Sequence, residues 1–464
     1  MSDELPKGWA VASISELCDV VKEKGREGVV PYLEIGNVDI ASKCYVLADK
    51  PSVKGGRVAR KDDVLVSKVR PTRGAITWIR ENELQVSSAF TVLRSKGALA
   101  EKCLWQFLAW NRNYLNHLGE NCTGTMYPTT SDEAVVDFQM PLPPLSEQRQ
   151  IVAKLETLLG KVDASQQRLA KMPVLLKRFR QSVLAAACSG RLTADWREEN
   201  STEEHSEATR KTLLDAGNEV EVGLHDTPDS WVWTSLDRVC SKITDGEHLT
   251  PPVTERGVPL LSAKDVRDNH LDFSDTKFVT EEFAKKSRTR CNPEQGDILV
   301  VSRGATVGRT CRVQVAGVFC LMGSVLLFKP DGRYVLPQMI EFCFKSQSGL
   351  AALIATSSST AQQAIYIKDM RSFALPIPPL PEQQEIVRRV EGLFALADQL
   401  EMRLAQARGQ VCKLTPSLLA RAFAGKLVPQ DPNDEPTSAL LERIRKEGPR
   451  IARMTRMKKG KENP

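Results

Sequence analysis

A proline-rich block running into a helix start is written twice in this chain, 235 residues apart: MPLPPLSEQRQIV at 140–152 and LPIPPLPEQQEIV at 375–387. Aligned from Pro141 and Pro376, eight of the first fifteen positions are identical. Chance does not produce that agreement, so the chain carries an internal duplication and must fold from two copies of one unit. Downstream of the block the likeness runs without gaps to Gly190 in one copy and Gly425 in the other.

The duplicated stretch reads as a long helix. In the first copy Ile151, Leu155, Leu158, Val162, Ser165, Leu169, Met172, Leu176, Phe179, Val183 and Ala186 recur in alternating steps of four and three. In the second, Ile386, Val390, Leu393, Ala397, Leu400, Leu404, Ala407, Val411, Leu414 and Leu418 do the same. A repeat of ~3.5 residues is a coiled-coil seam, whereas a helix lying on a globular surface drifts toward 3.6. Glu147 and Glu382 suit a helix start, and Gly190 and Gly425 suit a stop. Pro173 and Pro416 fall inside the seam. Register continues on both sides of each, so a kinked continuous helix is expected over two separate ones. About 40 residues at ~1.5 Å each make a helix of about 60 Å, and two such helices can bury each other's seams within one chain. The linker after the first helix favours an antiparallel pair, although it is long enough for a parallel one.

Ahead of each helix lies a β-rich, glycine-punctuated region with fainter likenesses. LPKGWAVASISELC (5–18) parallels TPDSWVWTSLDRVC (227–240), VPYLEIGNVD (30–39) parallels VPLLSAKDVRD (258–268), and KDDVLVSKVRPTRGAIT (61–77) parallels QGDILVVSRGATVGRTC (295–311). The expected fold is therefore a mixed α/β (α+β) two-fold repeat. Its parts are a head at 1–140, a proline joint and helix at 141–200, an acidic linker at 201–226, a second head at 227–374, a second joint and helix at 375–428, and a basic tail at 429–464.

The net charge of +6 is concentrated: 146–200 holds 10 basic and 6 acidic residues, and 381–464 holds 16 and 11. A nucleic-acid partner would thus meet local patches, not a uniformly basic domain. Eleven cysteines without a C-x-x-C, no apolar run of membrane length and no secretory leader lead to the expectation of a reduced, cytoplasmic protein. No phosphate-binding G-x-x-x-x-G-K-[ST] occurs, nor G-x-G-x-x-G after a strand, nor an N-P-P or D-P-P stretch followed by an aromatic residue. The five histidines lack metal-ligand spacing, and no serine sits in a nucleophile elbow. Neither a catalytic residue nor a metal site is expected.

The segments LPPLSEQRQIVAKLETLLGKVD, with LLKRFRQSVLAAACSGRLT after it, and IPPLPEQQEIVRRVEGLFALAD, with LLARAFAGKLV, resemble the DNA-specificity subunits of type I restriction–modification enzymes. The resemblance is architectural over the whole chain and strongest at 140–200 and 375–428. It implies two target recognition domains held by an antiparallel coiled coil, each reading half of a split, asymmetric DNA sequence. It also implies that the chain is not itself an enzyme. Two modification subunits that use S-adenosylmethionine, and two motor–nuclease subunits that need ATP and magnesium, would be its partners. No cofactor is then expected on this chain.

Candidate DNA contacts are the arms after a predicted strand in each head, with Lys68, Arg70 and Arg73 in the first and Arg303 and Arg309 in the second. The polar loops ahead of the helices supply the others: Thr125, Tyr127 and Thr129, then Ser358, Thr360, Gln362, Gln363 and Tyr366. Glu147, Gln148, Glu382 and Gln383 suit a helix start or partner docking better than base contact. Two rival readings compete with the DNA-specificity role. In one the chain transfers methyl groups by itself; in the other it is a coiled-coil scaffold with two protein-binding heads.

Overall fold

The computed structural model describes residues 5–47, 49–200, 227–356 and 363–446. The acidic linker 201–226 lies outside the described residues. The chain divides into two compact units: Met1–Ala170 with Gln406–Pro464, and Lys171–Ala405. Both cuts fall within the long helices, not at the proline joints.

The two heads share a terminal ribbon and a four-stranded sheet, while their three-stranded sheets keep one parallel pair and differ in which of its strands takes the third. In the first, β1 (Ala10–Ser13) pairs antiparallel with β9 (Gln139–Leu142), which carries the first proline of the joint. A four-stranded antiparallel sheet follows the order β2 (Cys18–Val20), β8 (Phe90–Ser95), β5 (Val64–Ser67), β6 (Ile76–Trp78). A three-stranded sheet joins β3 (Tyr32–Leu33), β7 (Glu83–Val86) and β4 (Arg57–Arg60), with β3 and β7 parallel. The second head has the ribbon β10 (Val232–Ser235) with β18 (Ala374–Ile377). Its four-stranded sheet runs β11 (Cys240–Asp245), β17 (Val325–Pro330), β14 (Ile298–Val301), β15 (Thr310–Arg312). Its three-stranded sheet has β12 (Val258–Leu261) between β13 (Lys277–Val279) and β16 (Cys320–Leu321), with β12 and β16 parallel. The central strands β5 and β14, VLVS and ILVV, are buried at every position. Both faces of each carry packing, which is why these strands read as continuous apolar runs.

The first long helix spans Leu145–Cys188 and the second Leu380–Phe423, each unbroken through its internal proline. Within each unit the start of one helix lies against the end of the other. In the first unit Ile151 and Leu155 share a buried cluster with Leu419 and Ala422, and Arg408 Nη2 donates to the Leu169 carbonyl at 2.8 Å. In the second, Arg180 pairs with Asp398 at 2.7 Å, and Arg389 donates to the Leu192 carbonyl at 2.8 Å. Rising numbers on one helix meet falling numbers on the other, so the pairing is antiparallel.

Burial along the seam positions is uneven. Ile151, Leu155, Val162, Leu176, Val183, Ile386, Val390 and Ala397 are buried, and Leu158, Leu169, Phe179, Leu393, Leu404, Val411 and Leu418 are half-buried. Two assigned positions differ. Leu400 is 39% exposed, within a stretch, 398–403, where every residue is exposed. Leu414 is 44% exposed because burial shifts one residue onward near Pro416, to Thr415 and then to Leu419 and Ala422.

Part of the segment read as a basic tail is a helix, 437–446. Its Leu441 is buried in the core of the first head, with Leu440 and Ile444 packed against the same cluster. Thr437 holds the helix start, its N–H donating to Gly8 O at 2.9 Å and its hydroxyl to Leu142 O at 3.1 Å.

Candidate nucleic-acid interface

The glutamate and glutamine of the duplicated block join head to helix. In the first unit Trp9 Nε1 donates to Glu147 Oε2 at 2.8 Å, a bond buried from solvent. Gln148 Nε2 donates to the carbonyls of Pro143 (2.9 Å) and Ala98 (3.0 Å), while its Oε1 accepts from Ala100 N (2.8 Å). The second unit repeats this atom for atom. Trp231 Nε1 donates to Glu382 Oε2 at 3.0 Å; Gln383 donates to Pro378 O and Tyr334 O and accepts from Leu336 N. All four side chains are buried, which removes them from any partner surface. Each Gln meets head backbone on one side and the proline carbonyl on the other, so no polar group of the amide is left unpaired.

The two joints differ at one oxygen. Glu382 Oε1 accepts from the Thr193 hydroxyl at 2.7 Å and is ion-paired with Arg197. Val428 stands where the repeat would place a second Thr193, and Glu147 Oε1 has no partner among the described residues. Burial pushes the Glu147 carboxyl above its usual value, against the Trp9 hydrogen bond and with a further contribution from Asp434.

In each head the arm after the central strand and the loop ahead of the long helix are brought together. Lys68 O accepts from Thr130 N at 2.9 Å, and Val69 bridges Thr129. In the second head Ser302 O accepts from Ile365 N at 2.9 Å, and Arg303 bridges Ala364. Candidates that sequence places some 60 residues apart thus share one edge of each head.

Within that edge the candidates divide. Arg73 and Thr125 are exposed, Arg70 is half-buried with its guanidinium 4.9 Å from the ring centre of Tyr127, and Tyr127 is 64% exposed. Arg303 and Gln363 are exposed. Ser358, Thr360 and Gln362 lie outside the described residues. Four candidates have structural partners. Lys68 pairs with Asp132 at 3.2 Å, and the same carboxylate binds Arg57 at 2.9 Å and the Thr91 hydroxyl at 2.6 Å. Burial alone would raise the Asp132 pKa; the Thr91 and Arg57 hydrogen bonds outweigh it and hold the carboxyl below its usual value. Arg309 donates to Val266 O at 3.2 Å and lies 3.6 Å from Asp268. The Thr129 hydroxyl donates to Tyr127 O at 3.0 Å. Tyr366 precedes a short helix, Ile367–Arg371, and its carbonyl accepts from Asp369 N and Met370 N, both at 3.1 Å. Sequence reading missed Asp132, whose signal was Ser131 followed by an acidic first turn, and Met126, 79% exposed beside Tyr127.

No group of residues able to hold a metal ion occurs among the described residues. No described helix is long and apolar enough to cross a membrane.

Comparison with known proteins assigns the family. A family model described as the type I restriction modification DNA specificity domain matches residues 6–173 and again 243–407. The chain is 32% identical over 353 residues to the type I restriction enzyme EcoBI specificity subunit of Escherichia coli, covering 72% of this chain and 69% of that protein. It is 28% identical to the EcoKI specificity subunit of E. coli strain K12, over 96% of both chains. Among solved structures, the HsdS subunit from Thermoanaerobacter tengcongensis superposes with a TM-score of 0.63 at 22% identity, covering 91% of this chain and 98% of that one. With its specificity-domain pattern matched twice, once per repeat, the chain belongs to the family of type I restriction–modification DNA specificity subunits.

Proposed function

We propose that each head reads one half of a split, asymmetric DNA target, and that the chain supplies sequence choice to partner subunits that carry out the chemistry. The observation that carries this reading is a repeated topology with dissimilar arms. The two heads share the ribbon, the four-stranded sheet and the bracing of arm on loop, yet SKVRPTRG stands in one where VSRGATVG stands in the other. Equal scaffolds with unequal contact residues suit two different half-sites. The exposed arginines lie on the braced edges, where base edges or phosphates can be met.

The partners proposed are two modification subunits and two motor–nuclease subunits. S-adenosylmethionine, ATP and magnesium then belong to those subunits, and each methyltransferase acts on an adenine flipped out of its own half-site. Two major-groove contacts on one face of the duplex fall about one turn, ~34 Å, apart. Footprinting of the reconstituted complex on random DNA tests the proposal. Two short protected segments around an unprotected gap are expected; protection without sequence preference would favour a scaffold role. Methylation of DNA by the purified chain alone would support the enzyme reading instead.

A further inference from the structure

The arm of the first head contains a backbone position at which the two repeats part company. Matching hydrogen bonds align the arms, Lys68 with Ser302 and Val69 with Arg303, so Arg70 corresponds to Gly304. Gly304 has φ +94°, and Arg70 has φ 47°, ψ 53°. The turn therefore demands a left-handed backbone in both heads. Glycine meets that demand at no steric cost. An arginine there is strained, and strain of this kind is retained where the side chain has a task.

What surrounds Arg70 indicates the task. Thr123 and Thr129 exchange backbone hydrogen bonds, both 2.9 Å, closing a loop over Gly124–Pro128, and Arg70 N donates to Pro128 O at 2.8 Å. The loop is a braced finger, and its tip exposes Met126 and Tyr127. The Arg70 guanidinium lies over the Tyr127 ring, and no described carboxylate pairs with it. A cation–π contact spends none of the guanidinium's N–H donors. Lys68, two residues earlier, is by contrast committed to Asp132. A guanidinium held against an aromatic ring, with no described carboxylate taking its donors, can offer them to the O6 and N7 acceptors of guanine in the major groove.

We infer that Arg70 is the residue with which the first head reads a guanine in its half-site, and that Tyr127 is a positioning residue holding it in place. This rests on the reading of the heads as DNA-recognition domains. The test uses the complete complex with its modification subunits, comparing the native chain with Arg70→Gly, Arg70→Lys, Tyr127→Phe and Tyr127→Leu by methylated-motif sequencing and cognate binding. Arg70→Gly removes the strain, so its melting temperature should equal or exceed that of the native chain. Its cognate affinity should fall roughly 10–100-fold, the worth of one bidentate base contact. One position of one half-site should become degenerate while the other half-site stays unchanged. Lysine should not restore that position, and Tyr127→Phe should retain what Tyr127→Leu loses. A uniform loss of affinity for every sequence would mark a phosphate contact and overturn the inference, as would an unchanged motif. A complex whose first head is exchanged separates the two levels. If the exchange alters a half-site while Arg70→Gly does not, only the inference falls; if the exchange alters nothing, the reading beneath it falls too.

Discussion

Glu147 and Glu382 occupy the same place in the repeat and accept an equivalent indole N–H, but among the described residues only Glu382 of the two has a cationic partner. Glu382→Gln takes the carboxylate from Arg197, which retains about a fifth of its side-chain exposure, so the cost should be about 2–3 kcal/mol, below the ~3–5 of a fully buried pair. Glu147→Gln keeps an acceptor for Trp9 and removes a charge that burial disfavours; stability at neutral pH should change by less than ~0.5 kcal/mol or rise. Glu147→Gln should also alter the pH response. A carboxyl whose folded pKa is raised binds its proton more tightly when folded, so its contribution to stability is full below the unfolded pKa and is lost as pH rises through the folded one. Denaturant melts across the acid range should show that decline in the native first unit and not in Glu147→Gln.

At the scale of elements, the long helices were legible because their seam has a strict period and their ends carry glycine. Leu400 and Leu414 were misjudged because periodicity specifies which face turns inward, not whether a bare pair of helices can cover it. The helix described at 437–446 was not legible: Leu440, Leu441 and Ile444 among charges are too few to make a period decisive, and only the first head's core gives them a place. Leu441→Asp should destabilise the first unit by about 2–4 kcal/mol, read as a lowered unfolding midpoint with that of the second unit unchanged. The candidate site was legible as segments but not as side chains. Lys68 and Arg70 look alike in sequence, and only the fold reveals that one faces Asp132 and the other Tyr127. If the long helices set the separation of the half-sites, adding one heptad to each, at Ala170/Lys171 and Ala405/Gln406, lengthens both by about 10 Å. The gap in the target should then grow by about three base pairs at ~3.4 Å each. Footprints with an unchanged gap would contradict the ruler role.

For the whole molecule the duplication is the organising fact: one joint chemistry, one ribbon with its four-stranded sheet and one brace between arm and loop, each written twice. Under the proposed function, two related scaffolds with different candidate contact residues would read the two halves of the target independently of each other. Single-molecule sequencing of DNA methylated by the complex, with the native chain and with residues 227–374 replaced by another head, tests this most directly. The account predicts a split, asymmetric motif of which one half changes on replacement and the other is kept with the gap. A palindromic or unbroken motif, or a replacement that alters both halves together, would contradict it.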